Sequence, residues 1–226
     1  PTTPTSPLAV ATTVVIDAPL GLSREGAPQF SDTQLGRASE QFRIIAAAAN
    51  TPLTLAATPF LVQELAEAGD TSPRPDRQAR QTLSRPYVKI DAGSLISAGQ
   101  SSVLTAEYAA GDNVLANVFE AAPDRRTLIL DPSVTPSALN LLAQSGTRSV
   151  VLQSSQIRSS LVSDESSVLT SRFVIESENG TSFSAMANDD VVSSRFLPTA
   201  DPILNAHHAL AELMMLHQEQ PGVDRG

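Results

Sequence analysis

The sequence predicts an α/β fold, a parallel (β/α) barrel-like domain, and three observations carry that reading. Short apolar, β-branched runs alternate with helical stretches, the order that βαβ units produce. Three of those runs end on an aspartate, at Asp17, Asp91 and Asp131. The 226 residues are 41% hydrophobic but only 4% aromatic, with no Trp. A core of Leu, Val, Ile and Ala suits helices packed on a buried parallel sheet better than an aromatic-rich sandwich.

The elements follow in order. Residues 1–7, PTTPTSP, are a Pro/Thr/Ser linker of a kind more common in exported proteins, and residues 8–226 form a single barrel-like domain. AVATTVVI is the first strand, near 10–16, and stops at Asp17. A loop with Gly21, Gly26 and Pro28 leads to Ser31, which forms a capping box with Gln34 and opens a helix through LGRASEQFRIIAAAAN. PLTLAA predicts a strand over 53–57. Thr58-Pro59 is a helix start for FLVQELAEAG, and Gly69 is its stop.

The polar insert DTSPRPDRQARQTLS reads as a loop, and PYVKI as a third strand, 87–90, ending at Asp91. Helical sequence covers Ser101–Glu120. RTLIL and RSVVL, near 126–130 and 149–152, predict two more parallel strands around a helix. Asn179-Gly180 between β-prone runs predicts a hairpin insertion near 172–187, its second arm ending before Asp189-Asp190. A last helix covers about 202–218, with Met214 and Met215 as core filling and Gly222 as its stop.

This order calls for one more strand after the last helix. The expectation is an incomplete barrel, with the missing strand beginning after Gly226 and pairing beside the first strand. Without it the chain is expected to be marginally stable or to associate through that edge.

A net charge of −9 argues against a nucleic-acid partner, whose affinity rests on Lys and Arg. The absence of Cys excludes a disulfide framework and a thiolate metal site. No stretch approaches the roughly 18 apolar residues of a membrane span, so attachment to a membrane requires segments outside this chain.

Parallel strands point their carboxyl ends to one face, and sites are built there. Asp17, Asp91 and Asp131 are therefore expected on one rim and, with Asp189, are the candidate catalytic residues. The same residue type caps helices and makes Asx turns, and that alternative applies to each of them. Arg74, Arg77 and Arg80 recur every third residue, either as a binding stripe for an anionic polymer or as a solvated face. His208 and Glu212 stand one helical turn apart, but no HExxH is present, and no metal site or other cofactor is expected.

PLTLAATPFLVQELA, RPYVKIDAGSL, LILDPSVTPSALNLLAQSGTRSVVLQSS and LAELMMLHQEQPG resemble, in that order, the ectodomain of a family of large membrane-anchored actinobacterial envelope proteins. That family is often encoded beside the lipid II flippase. The resemblance implies an extracytoplasmic barrel, tethered to the cell membrane and related to glycoside hydrolase and polysaccharide deacetylase domains. The family has no established catalytic residues, so none is carried over. Metal-dependent deacetylases carry paired Asp after the first strand and a His-x-x-x-His pair. Here the first strand ends Asp17-Ala18-Pro19, and no His precedes His207. A glycosidase needs two carboxylates, and the four aspartates named above are the possible sources. No Glu sits at a predicted strand end, and Tyr87 and Tyr108 are the sole tyrosines available to stack on a sugar. The expectation is a non-catalytic binding or scaffolding module for cell-wall glycan or another envelope protein. The alternative is a carbohydrate-active hydrolase working through rim aspartates.

Overall fold

The computed structural model describes residues 8–48, 50–73, 80–132, 134–154, 157, 172–196 and 201–219. The linker, Arg74, Arg77 and Gly222 lie outside the described residues.

Strand β1 (Thr13–Ile16) is followed by the two-residue strands β2 (Gly21–Leu22) and β3 (Pro28–Gln29), which pair antiparallel. Helix α1 (Asp32–Ala47) begins at a complete capping box, with Ser31 and Gln34 satisfying each other's backbone N–H groups. Then come β4 (Leu53–Ala57), α2 (Pro59–Glu67), β5 (Arg80–Thr82), α3 (Ala92–Ser97) and α4 (Ser101–Phe119). Helix α2 has Pro59 in its first turn, and Gly69 just beyond its end takes the left-handed conformation at φ 78°. The second half comprises β6 (Thr127–Ile129), α5 (Pro136–Gln144), β7 (Ser149–Leu152), β8 (Phe173–Glu176), β9 (Ser182–Ala187), α6 (Asp190–Ser194) and α7 (Pro202–Glu219).

The fold is mixed α/β with parallel strands. Beside the small β2-β3 pair, one ladder runs β1-β4-β5 and another β6-β7-β9-β8, and within these two every pair is parallel except the β8-β9 hairpin. The hairpin turns at Asn179-Gly180, where Gly180 has φ 75°. The described strands do not close into a barrel: β1 and β8 are the outer strands. No described helix is long and apolar enough to cross a membrane.

The third parallel strand is β5, within the stretch read as a polar loop, and not 87–90. PYVKI has β-prone residues, but its backbone is committed elsewhere. The Tyr87 N–H donates to the Glu107 carbonyl of α4, and the Tyr87 carbonyl accepts from Phe60 at the start of α2. Pro86 has no N–H to give a ladder. The core position falls instead to Leu83, 1% exposed, directly after β5. Asp91 consequently stands at the N-terminus of α3 and not at the end of a strand.

Among the described residues, two apolar clusters form the core. The first joins Ile16, Phe42, Leu55, Leu61, Leu65 and Phe119, and the second joins Leu128, Leu139, Leu142, Val150 and Phe183. Helix α4 spans both, with Leu115 and Phe119 in the first and Tyr108 against the second.

Asp124 clasps the two ladders. Leu83 and Asp124 form an isolated parallel bridge, in which the Asp124 N–H donates to Thr82 O and the Ser84 N–H to Asp124 O. The side chain locks the junction by accepting from the Gln81 amide at 2.6 Å and the Arg126 N–H at 2.7 Å. Burial alone pushes the Asp124 carboxyl up. The hydrogen bonds from the Arg126 N–H and Gln81, with the Arg126 charge, outweigh burial and hold it below its ordinary value of 3.8. A lowered folded-state pKa means that the carboxylate stabilises the fold above the unfolded pKa and loses that contribution as pH falls through the folded one. Asp124→Ala is therefore expected to cost about 1–2 kcal/mol at pH 7. Urea denaturation at pH 7 and below pH 3.8 should show the gap between variant and wild type narrowing in acid. An equal gap at both would show that the charge plays no part.

Candidate functional site

Ladder register puts three side chains at one level beyond the strands. Ile16 lies opposite Ala57, and Leu55 opposite Thr82. Continued to the strand ends, those registers align Asp17, Thr58 and Arg85 across three neighbouring segments. The side chains meet as the alignment requires. The Thr58 hydroxyl donates to Asp17 Oδ1 at 2.8 Å, and the Ala18 N–H donates to the same oxygen at 2.9 Å. The Arg85 guanidinium stands 3.8 Å from Asp17 Oδ2 and donates to the Ala56 carbonyl at 3.2 Å.

Thr58 was expected to cap α2 and does not. It occupies the N-cap position with no side-chain capping bond, because its buried hydroxyl is spent on Asp17. One Asp17 oxygen is thus fixed by two donors, while the other faces Arg85. The carboxylate is oriented, not merely present.

Asp17 and Thr58 border a cleft of about 370 Å³, whose lining is completed by Ala18, Pro19, Leu20, Phe30, Val88 and Lys89. The segment misread as a strand supplies one wall, with Val88 apolar and Lys89 exposed and cationic. The opposite wall is the loop after β1, tied to α1 by the Gln34 amide donating to the Pro19 carbonyl at 2.8 Å. Phe30 belongs to an aromatic row beneath the cleft: Phe30 to Phe60 at 5.2 Å between centroids, and Phe60 to Tyr87 at 5.3 Å, both tilted. Such contacts hold ring positions beyond what area burial alone achieves.

The other sequence candidates divide. Asp91 caps α3, accepting from the Ser94 N–H at 2.8 Å and the Ser94 hydroxyl at 2.8 Å. Asp189 caps α6 in the same way, accepting from the N–H groups of Val191 and Val192, both at 2.9 Å. The capping alternative describes the geometry of both. Asp131 follows β6, and its carbonyl accepts from the Val134 N–H. It is close enough to Tyr108 to act on that residue's ionisation, as are Arg85 and Asp112. Burial pushes the Tyr108 hydroxyl up to about 12; Arg85 pulls down, and Asp112 and Asp131 push up further. Asp131 does not line the cleft at Asp17.

Neither tyrosine is offered as a platform. Tyr87 leans on Phe60 and donates its hydroxyl to Gln63 at 3.0 Å, and Tyr108 packs on the second core cluster. Arg80 is not part of an open stripe, since it lies in β5 and its guanidinium donates to the Ile45 carbonyl near the end of α1. A cation at that position satisfies a helix-terminal carbonyl. Glu212 pairs with Arg195 at 2.6 Å. Among the described residues no group of three or more His, Asp and Glu side chains is placed to hold a metal ion. The site residues that sequence reasoning missed are Thr58, Lys89 and the role of Arg85. Their one signal was position: each follows a strand or sits in the segment after it.

No protein-family model matches this chain, and no curated protein matches it. Among solved structures, 4-alpha-glucanotransferase from Thermococcus litoralis shares the fold, with a TM-score of 0.60 at 11% sequence identity. The match covers 95% of this chain and 32% of that one, so the chain spans about a third of the glucanotransferase's length. At that identity the likeness is one of fold, and sites differ freely on a shared fold.

Proposed function

We propose that this chain is a non-catalytic binding or scaffolding module with a degenerate (β/α) barrel of carbohydrate-enzyme type, in the ectodomain of a membrane-tethered envelope protein. Its ligand site is the cleft at Asp17, and cell-wall glycan is the ligand class its chemistry fits. The observation that carries the reading is the company Asp17 keeps. It lines the cleft with the Thr58 hydroxyl and the Lys89 cation, and Arg85 stands 3.8 Å from its second oxygen, while Asp91 and Asp189 are occupied as helix caps. Hydrolysis of a glycosidic bond needs two carboxylates facing each other across the scissile bond. Binding a polyol needs an oriented acceptor, a donor and an apolar wall, and Asp17, Lys89 and Phe30 supply them, with Arg85 helping to hold Asp17.

A hydrolase remains the second reading, favoured by the fold shared with a glucanotransferase. One experiment separates the two. Solubilised cell-wall glycan fragments are titrated into the protein by calorimetry, and the same mixtures are assayed for new reducing ends. Binding without reducing-end release, weakened about tenfold or more by Lys89→Ala and by Asp17→Asn, is the expected result, a loss of about 1.4 kcal/mol each. Reducing ends that vanish in Asp17→Asn would make the protein an enzyme. Unchanged binding in both variants would move the site elsewhere.

A further inference from the structure

Helix α7 is apolar on both sides. At 100° per residue its inner side carries Asn205, Ala209, Glu212, Leu213 and Leu216, where Ala209 is buried and Glu212 is tied to Arg195. The outer side carries Ile203, Leu204, Leu210, Met214 and Met215, and these are 71%, 49%, 59%, 66% and 67% exposed. Met214 and Met215, expected in the core, are thus on the surface. His207, His208, Ala211 and Gln218 complete that outer face, which bears no Asp, Glu, Lys or Arg. A helix that is hydrophobic all round is normally buried all round. Patches of this kind, here on the order of 500 Å², mark interaction sites on soluble proteins.

We infer that this outer face pairs with the same face of a second copy of the chain. Four properties select that occupant. The chain carries a net charge of −9, so two copies approach at low cost only through a surface free of formal charge, and this face is one. Residues Ile203, Leu210 and Met214 fall within about 40° of one another around the helix, a straight ridge suited to antiparallel pairing across a two-fold axis. Joining two such faces removes on the order of 1,000 Å² from water, the lower bound for a specific interface. Methionines at two of the five positions let the surfaces adapt to each other. A lipid surface is a poorer occupant, because interfacial helices carry Lys and Arg beside their apolar face and α7 has neither.

The test is sedimentation equilibrium of the whole chain across a concentration series. The wild type is expected to approach twice 23.8 kDa. Leu210→Glu and Met214→Glu, both on the exposed face, should weaken association by at least about tenfold with an unchanged circular dichroism spectrum. Ile44→Glu, an equally exposed change on α1, should leave association intact. A wild type that stays monomeric throughout overturns the inference. So does a dimer indifferent to both α7 changes but split by Val15→Lys, which would place the contact on the open edge of β1.

Discussion

Truncating Phe183 to Ala is expected to lower the unfolding free energy by about 3–5 kcal/mol, the largest single-residue loss foreseen for this protein. Phe183 lies on β9 and is 1% exposed, surrounded by Leu128, Leu130, Leu139, Leu142, Val150 and Ala185. Strand β9 is itself flanked on both edges, by β7 and β8, so its backbone cannot slide inward to fill the hole. The cost is therefore the transfer term plus a residual cavity. Against a total stability of about 5–15 kcal/mol, such a loss is a large fraction. Urea denaturation measures it directly. Phe183→Leu should recover most of the loss, and Phe196→Ala, at a ring 67% exposed, should cost less than about 0.5 kcal/mol. If the two alanine changes cost the same, the second cluster is not a packed core.

Gly111→Ala follows closely, at about 3 kcal/mol, the upper end of the overpacking range. Helix α4 crosses the segment after β5 at this glycine. An added Cβ would overlap the Arg85 carbonyl oxygen and stand 3.0 Å from Pro59 Cγ and 3.1 Å from the Tyr87 nitrogen. Two of those three neighbours are backbone atoms, so no rotamer change relieves the clash. Relief requires shifting residues 85–87, which lead directly to Val88 and Lys89 on the cleft wall. Glycan affinity should fall together with stability, and a thermal melt run beside the calorimetric titration checks both. Gly36→Ala, in α1 with nothing near its Cβ, is the control and should stabilise slightly.

How much of this was legible follows from where the physics is local. Strands β1, β4, β6 and β7 declared themselves because each is a short run of apolar or β-branched residues. The hairpin at Asn179-Gly180 and the capping box at Ser31 are short-range devices, and both formed as read. Strand β5 was not legible. Arg80, Gln81 and Thr82 look like a loop and are held as a strand by pairing with β4, a tertiary effect that overrides propensity. The error at 87–90 has the same source, since Tyr87 and Val88 have strand-forming side chains but their backbone bonds go to helices. At the site, Asp17 was legible as a strand-end carboxylate. Thr58 was hidden behind a sound local rule, the Thr-Pro helix start. A partner 41 residues away in sequence claimed its hydroxyl.

The clasp at Asp124 has a consequence for hydrogen exchange. Its two backbone bonds exist only while both ladders are folded, so either half opening releases the amide protons of Asp124 and Ser84. Their protection should therefore equal that of the less stable half. Amides inside β4 and inside β9 should each report their own half's opening free energy. Whichever strand the clasp amides match identifies the half that opens first. If all three agree, the ladders rise and fall as one cooperative unit.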